Sequence, residues 1–218
     1  MEVNVGGRNG YVAIPSAPST RGVLVLHEAY GLTADIRRIA DRFAVEGYVA
    51  AAPNLFGGIR CLARTLNDEK RAADLNEWHQ YLRREHGVER AGIIGFCMGG
   101  GFALAHAARP DSDLLAVSVN YGAMTTSDLS HVCPVVASYG ERDRVMLPQA
   151  RKLGAALDAA GVDNDFRIYE GVGHSFMNHH EGLGALLSRL PTGMKVGYDE
   201  AAAVDAWKRI LAFFAARV

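Results

Sequence analysis

Short apolar runs alternate with longer amphipathic stretches along this chain. Residues 11–14, 22–26, 48–52, 92–96, 115–119, 135–139 and 166–169 read as strands. Several are apolar at every position, as in strands covered on both faces of a parallel sheet. Between them, Ile36, Ile39, Ala40 and Phe43 recur at helical spacing behind a capping Thr33 and stop at Gly47. Leu75, Trp78 and Leu82 form a second stripe, closed by Gly87. Val204, Trp207, Leu211 and Phe214 form a third, and residues 101–108 read as a further helix. Stripes of this kind are core, and no other role is assigned to them. Strands alternating with helices predict the α/β class, a mostly parallel sheet with helices on both faces. Ligand sites in such sheets lie at the carboxyl ends of strands.

Composition narrows this picture. The chain has 218 residues, 49% of them hydrophobic, and no Pro/Ser-rich linker, charge block or repeat, so a single domain over residues 1–218 is expected. A formal charge of -1 without a Lys/Arg cluster argues against a nucleic-acid surface. No apolar run reaches the roughly 18 to 20 residues that span a bilayer. Residues 1–9 are polar and lack a signal-peptide core, so no membrane partner is expected. Cys61, Cys97 and Cys133 are an odd set without Cys-x-x-Cys spacing, which suggests a reducing cytoplasm. No stripe marks an interface, so monomer is the default expectation.

The most informative stretch is Gly95-Phe96-Cys97-Met98-Gly99-Gly100, between the strand at 92–96 and the helix that follows. A strand, a sharp glycine-flanked turn and a helix form a nucleophile elbow, usually Gly-x-Ser-x-Gly, here with cysteine in the serine position. Side chains at Gly95 or Gly99 would collide with the turn. The helix N-terminus behind it offers N–H donors and a positive dipole end to an anion. A buried cysteine can also be a small hydrophobe, and a glycine-rich turn can cradle phosphate. Neither Gly-x-Gly-x-x-Gly nor a Gly-Lys-Ser/Thr ending is present.

A thiol at an elbow needs a base. His174 lies in the loop Glu170-Gly171-Val172-Gly173-His174-Ser175-Phe176, just past the last strand, whereas His79, His86 and His106 lie on helices. A carboxylate must fix the imidazole tautomer. Asp143 follows the strand at 135–139 and is the candidate, with Glu141 as its competitor. Cys97, Asp143 and His174 stand in the nucleophile, acid, base order of α/β-hydrolases. The oxyanion donors would be the N–H of Met98 and, from the loop after the strand at 22–26, the N–H of Ala29. His27-Glu28 does not complete His-Glu-x-x-His, and the adjacent His179 and His180 cannot both face one site as i, i+4 ligands do, so no metal site is expected. The chemistry calls for no cofactor.

With these residues assembled, the chain resembles the dienelactone hydrolase family, the cysteine branch of the α/β-hydrolase fold. The likeness spans nearly the whole length. It rests on Leu26-His27-Glu28-Ala29-Tyr30-Gly31-Leu32, Gly47-Tyr48-Val49-Ala50-Ala51-Ala52-Pro53-Asn54-Leu55-Phe56, the Gly95–Gly100 elbow, Tyr139-Gly140-Glu141-Arg142-Asp143 and Gly173-His174-Ser175-Phe176. The resemblance implies a carboxymethylenebutenolidase-type hydrolase of small esters or lactones, with Cys97, Asp143 and His174 as its triad. It also implies that Glu28 is held near the thiol and takes its proton when substrate binds. Two departures concern substrate. The family places an arginine four residues after the catalytic histidine, where Asn178 stands here. Arg60 lies after the Asn54-Leu55-Phe56 segment, shifted from the family's second arginine. Losing a bidentate carboxylate clamp leaves a neutral ester or a thioester equally open.

Tyr30, Phe56, Tyr121 and Phe176 are candidates to line the substrate pocket, each equally able to be core. Two other function classes stay open at this point. One is a non-catalytic binding protein of the same fold, which needs no triad. The other is a redox thiol protein, which would need Cys61 or Cys133 as a resolving partner.

Overall fold

A computed structural model of the chain describes residues 1–56, 67–180 and 193–218. Its frame is an eight-stranded sheet of β1 (Glu2–Val5), β2 (Arg8–Ala13), β3 (Arg21–Leu26), β4 (Val49–Pro53), β5 (Arg90–Phe96), β6 (Ala116–Asn120), β7 (Val135–Gly140) and β8 (Asn164–Tyr169). Their order is β1-β2-β4-β3-β5-β6-β7-β8. β1 and β2 pair antiparallel, as do β2 and β4, and every other pair is parallel. The helices are α1 (Ala34–Val45), α2 (Asp68–His86), α3 (Met98–Ala107), α4 (Leu147–Ala159) and α5 (Glu200–Arg217).

The central strands β3 to β7 are almost wholly buried, which accounts for their continuous apolar sequences. Their covers lie on opposite faces. A Cβ at Gly92 would meet Phe214 of α5, while one at Gly95, three residues on, would meet the backbone of Gly99 in α3. Phe43 of α1 packs on Trp207 and Phe214, so α1 shares the face of α5. Arg71 of α2 lies over the Phe102 ring, so α2 shares the face of α3.

Several sequence expectations hold in detail. Thr33 Oγ1 accepts the Ile36 N–H at 3.4 Å, and Ile36, Ile39, Ala40 and Phe43 are buried. Gly87 caps α2 in the left-handed conformation, and Leu75, Trp78 and Leu82 are buried. Others need correction. β1 lies in the polar N-terminal stretch, where no strand was expected. Its signal is Gly6-Gly7, both at positive φ, a two-residue hairpin link that places Val5 against Arg8. β2 consequently begins at Arg8 rather than residue 11, and Ile14 lies beyond it, exposed. α4 was not anticipated, although Pro148 near its start and buried Ala150, Leu153 and Leu157 carry the pattern. On α5, Val204 is 59% exposed and Leu211 only half-buried. The buried stripe is Ala203, Trp207, Ile210 and Phe214, so two positions of the expected stripe were one residue off.

Candidate active site

The carboxyl ends of β3, β5, β7 and β8 bring the sequence candidates together. Cys97 follows β5 directly, with φ 53° and ψ -121°, a conformation that costs a non-glycine residue about 1–3 kcal/mol. The turn is tight because Gly95 abuts the backbone of Gly99, and a Cβ at Gly99 would stand 2.5 Å from the carbonyl oxygens of Leu26 and His27. Any side chain at 99 would therefore push α3 away from the end of β3. Met98 opens α3, so its N–H has no intrahelical acceptor.

Asp143 comes from the turn after β7. It is 1% exposed, its Oδ1 accepts the N–H groups of Val145 (3.2 Å) and Met146 (3.0 Å), and its Oδ2 lies 2.5 Å from His174 Nδ1. The competing Glu141 is exposed and accepts the Gly171 N–H at 3.0 Å instead. His174 comes from the loop after β8, strapped by its N–H to Met194 O at 2.9 Å and by the Gly197 N–H to its own carbonyl at 3.0 Å. Its Nε2 is buried and has no hydrogen bond of normal geometry among the described residues. Burial opposes charge on this imidazole, but Asp143 and the nearby Cys97 sulfur outweigh it and hold the pKa up at about 10.

Glu28 follows β3 and is 5% exposed. Desolvation raises its carboxyl to about 7, against the lowering effects of Ser175 and His174. Its Oε1 accepts a hydrogen bond from Ser175 Oγ at 2.5 Å, and His180 Nδ1 lies 3.6 Å from Oε2. Ser175 is thus the hydrogen-bond partner of this carboxylate. Ala29, next to it, is exposed.

The dienelactone hydrolase family model matches residues 9–218. The chain belongs to the dienelactone hydrolase family. A Salmonella typhimurium relative, provisionally named a carboxymethylenebutenolidase, is 30% identical over 88% of this chain and 76% of its own. A Klebsiella pneumoniae crystal structure, provisionally named a dienelactone hydrolase, is 26% identical with a TM-score of 0.80, covering 99% of this chain and 97% of that one. The dienelactone hydrolase of Anabaena variabilis shares the fold at a TM-score of 0.73 and 18% identity, covering 100% and 96%. The protein is thus an ester hydrolase of the α/β-hydrolase fold, of the kind that acts on esters and lactones. No helix among the described residues is long and apolar enough to cross a membrane.

In this family member the expected pocket residues divide. Tyr30 and Phe56 are partly exposed at the loops after β3 and β4, with the Phe56 ring edge-on to His27. Tyr121 and Phe176 are completely buried and pack against each other. Asn178 is 1% exposed and spoken for at both ends. Its Oδ1 accepts the Tyr121 hydroxyl, and its Nδ2 donates to Asp35 Oδ2 at 2.8 Å. Its partner Tyr121 in turn packs edge-on to the His174 ring at 5.0 Å. Arg60 and Cys61 lie outside the described residues.

Three contributors escaped the sequence reading. Ser175 holds Glu28 and sits at φ 55°, one residue from the histidine. Asp35 anchors Asn178 and pairs with Arg38 at 3.2 Å. His27, weighed only as a zinc ligand, is locked beneath the loop that carries Glu28 and Ala29. Only the adjacency of Ser175 to His174 and of His27 to Glu28 could have marked them.

Proposed function

We propose that this protein, as one domain over residues 1–218, hydrolyses small esters or lactones by two-step acyl transfer through Cys97, His174 and Asp143. The observation that carries the reading is the buried His174 ring, bonded to Asp143 through Nδ1 and influenced by Cys97 on its other side. His174, held up at about 10, already carries the proton that the Cys97 thiol gives up, and the Cys97 sulfur attacks the acyl carbonyl. The N–H groups of Met98 and Ala29 receive the oxyanion, each such donor contributing about 3 kcal/mol in the transition state. His174 passes the proton to the leaving alcohol and then takes one from the water that releases the acid. Asp143 fixes the ring's tautomer.

A neutral acyl group suits this site better than a carboxylate-bearing one. Asn178 is committed to Tyr121 and Asp35, and the buried acids Glu28 and Asp35 lie close enough to influence each other. An anionic substrate would add a third negative group there.

The test is turnover by the purified protein and its Cys97→Ala variant on a short neutral aryl ester, a short acyl thioester and dienelactone. We expect Cys97-dependent turnover, fastest on the neutral esters. Full activity in Cys97→Ala would remove the nucleophile assignment. Faster turnover of dienelactone would remove the neutral-substrate preference and leave the mechanism intact.

A further inference from the structure

His27 has no place in the mechanism above, yet it is 1% exposed and both ring nitrogens are engaged. Nε2 lies 2.9 Å from the Leu55 N–H, which can only donate, so Nε2 is the unprotonated nitrogen. Nδ1 therefore carries the proton and donates it to the Glu28 carbonyl at 2.6 Å. Burial lowers the ring to about 4, so this neutral tautomer persists through the working pH range. The same Glu28 carbonyl also accepts the Gly31 N–H at 3.2 Å. Leu55 is fixed in turn, because its carbonyl accepts from Arg8 Nη1 at 3.0 Å and Arg8 is paired with Asp74.

The consequence follows from peptide planarity. The Glu28 C=O and the Ala29 N–H belong to one peptide unit and point in opposite directions across a trans bond. Cis peptide bonds are absent among the described residues. Whatever holds that carbonyl inward aims that N–H outward. The close approach of Gly99 to the His27 carbonyl packs the preceding His27–Glu28 peptide against the first turn of α3, which Met98 opens. We propose that His27 is a positioning residue that fixes the Glu28–Ala29 peptide so that the Ala29 N–H faces the oxyanion. This rests on the acyl-transfer reading above, because it gives Ala29 N–H its use.

The experiment exploits side-chain geometry. The amide nitrogen of asparagine can occupy the place of histidine Nδ1, whereas the amide of glutamine reaches the place of Nε2. His27→Asn keeps the donor to Glu28, His27→Gln keeps the acceptor for Leu55, and His27→Leu keeps neither. For each variant the readouts are kcat and KM on a neutral aryl ester, affinity for a short aldehyde that adds to Cys97, and alkylation of Cys97 by iodoacetamide. The aldehyde adduct places a tetrahedral oxygen at the donors, whereas alkylation does not form one.

We expect kcat to fall about 10²-fold in His27→Leu, the size of losing one oxyanion donor. KM should change little, aldehyde affinity should fall in step with kcat, and alkylation should stay within about threefold of wild type. His27→Asn should recover more activity than His27→Gln. Equal losses in the Asn and Gln variants would overturn the proposal, as would alkylation that falls as far as turnover. If the wild type itself shows no Cys97-dependent turnover, the acyl-transfer reading fails, and the His27 proposal fails with it. Equal behaviour of the Asn and Gln variants with normal Cys97 chemistry in wild type overturns the His27 proposal and leaves that reading standing.

Discussion

His27 and His174 are buried to nearly the same depth, 1% and 3% exposed, yet they hold protons in opposite ways. Both ring nitrogens of His27 bond to backbone groups, and the ring is lowered to about 4, chiefly by desolvation. His174 faces the same desolvation, but Asp143 and Cys97 raise it to about 10. Depth of burial therefore does not decide what a histidine does. A backbone carbonyl fixes a proton in place, while a carboxylate on one side and a thiol on the other make the ring a place for a proton to go. On the proposed mechanism the loop after β3 orients a peptide and the loop after β8 exchanges a proton.

Removing the carboxylate should break this contrast most severely. Asp143→Asn leaves the turn shape and takes away the charge, so His174 should lose its raised proton affinity and adopt the wrong tautomer. We expect kcat to fall about 10⁴-fold, with the pH dependence of Cys97 alkylation displaced from that of wild type. A loss below tenfold would mean that Asp143 does not orient His174. The His27 variants probe the other loop at about the 10²-fold level described above.

A smaller effect is expected from Glu28, read as stability. Burial raises its carboxyl from the ordinary 4.5 to about 7, so the native state holds this proton over a range where the unfolded chain has released it. Stability is thus lost as pH rises between these values, and the loss is complete above about 7. Glu28→Gln keeps a polar partner for Ser175 and removes the buried charge. It should be more stable than wild type at pH 9 by on the order of 3 kcal/mol, and equal to it at pH 4. Urea unfolding at the two pH values measures this. A variant less stable than wild type at pH 9 would contradict the account of Glu28.

The sequence made the proton-exchange loop far more legible than the orienting loop. Cys97, Asp143 and His174 each follow a run that reads as a strand, and their order restricts the chemistry to a few possibilities. The elbow glycines are legible because only glycine lets α3 approach β3. His27 was not legible in this way, because its role depends on where Leu55 lies after β4, 28 residues along the chain. Asn178 marked a departure from the family pattern, but its place depends on Asp35 and Tyr121, both remote in sequence. β1 and α4 were missed at weaker signals, a glycine pair and a proline. The α5 stripe slipped because Val204 and Leu211 flank the true seam on a helix rich in apolar residues.

The central claim is that Cys97 carries the acyl group. Ser175 is the rival, a hydroxyl one residue from His174 and bonded to Glu28. Intact-mass measurement during turnover of a slow aryl ester, followed by peptide mapping, separates the two. The account predicts a transient increase by one acyl group on the peptide containing Cys97, absent from Cys97→Ala and prolonged in Asp143→Asn. An acyl group on the peptide containing Ser175, or one that survives Cys97→Ala, would contradict it.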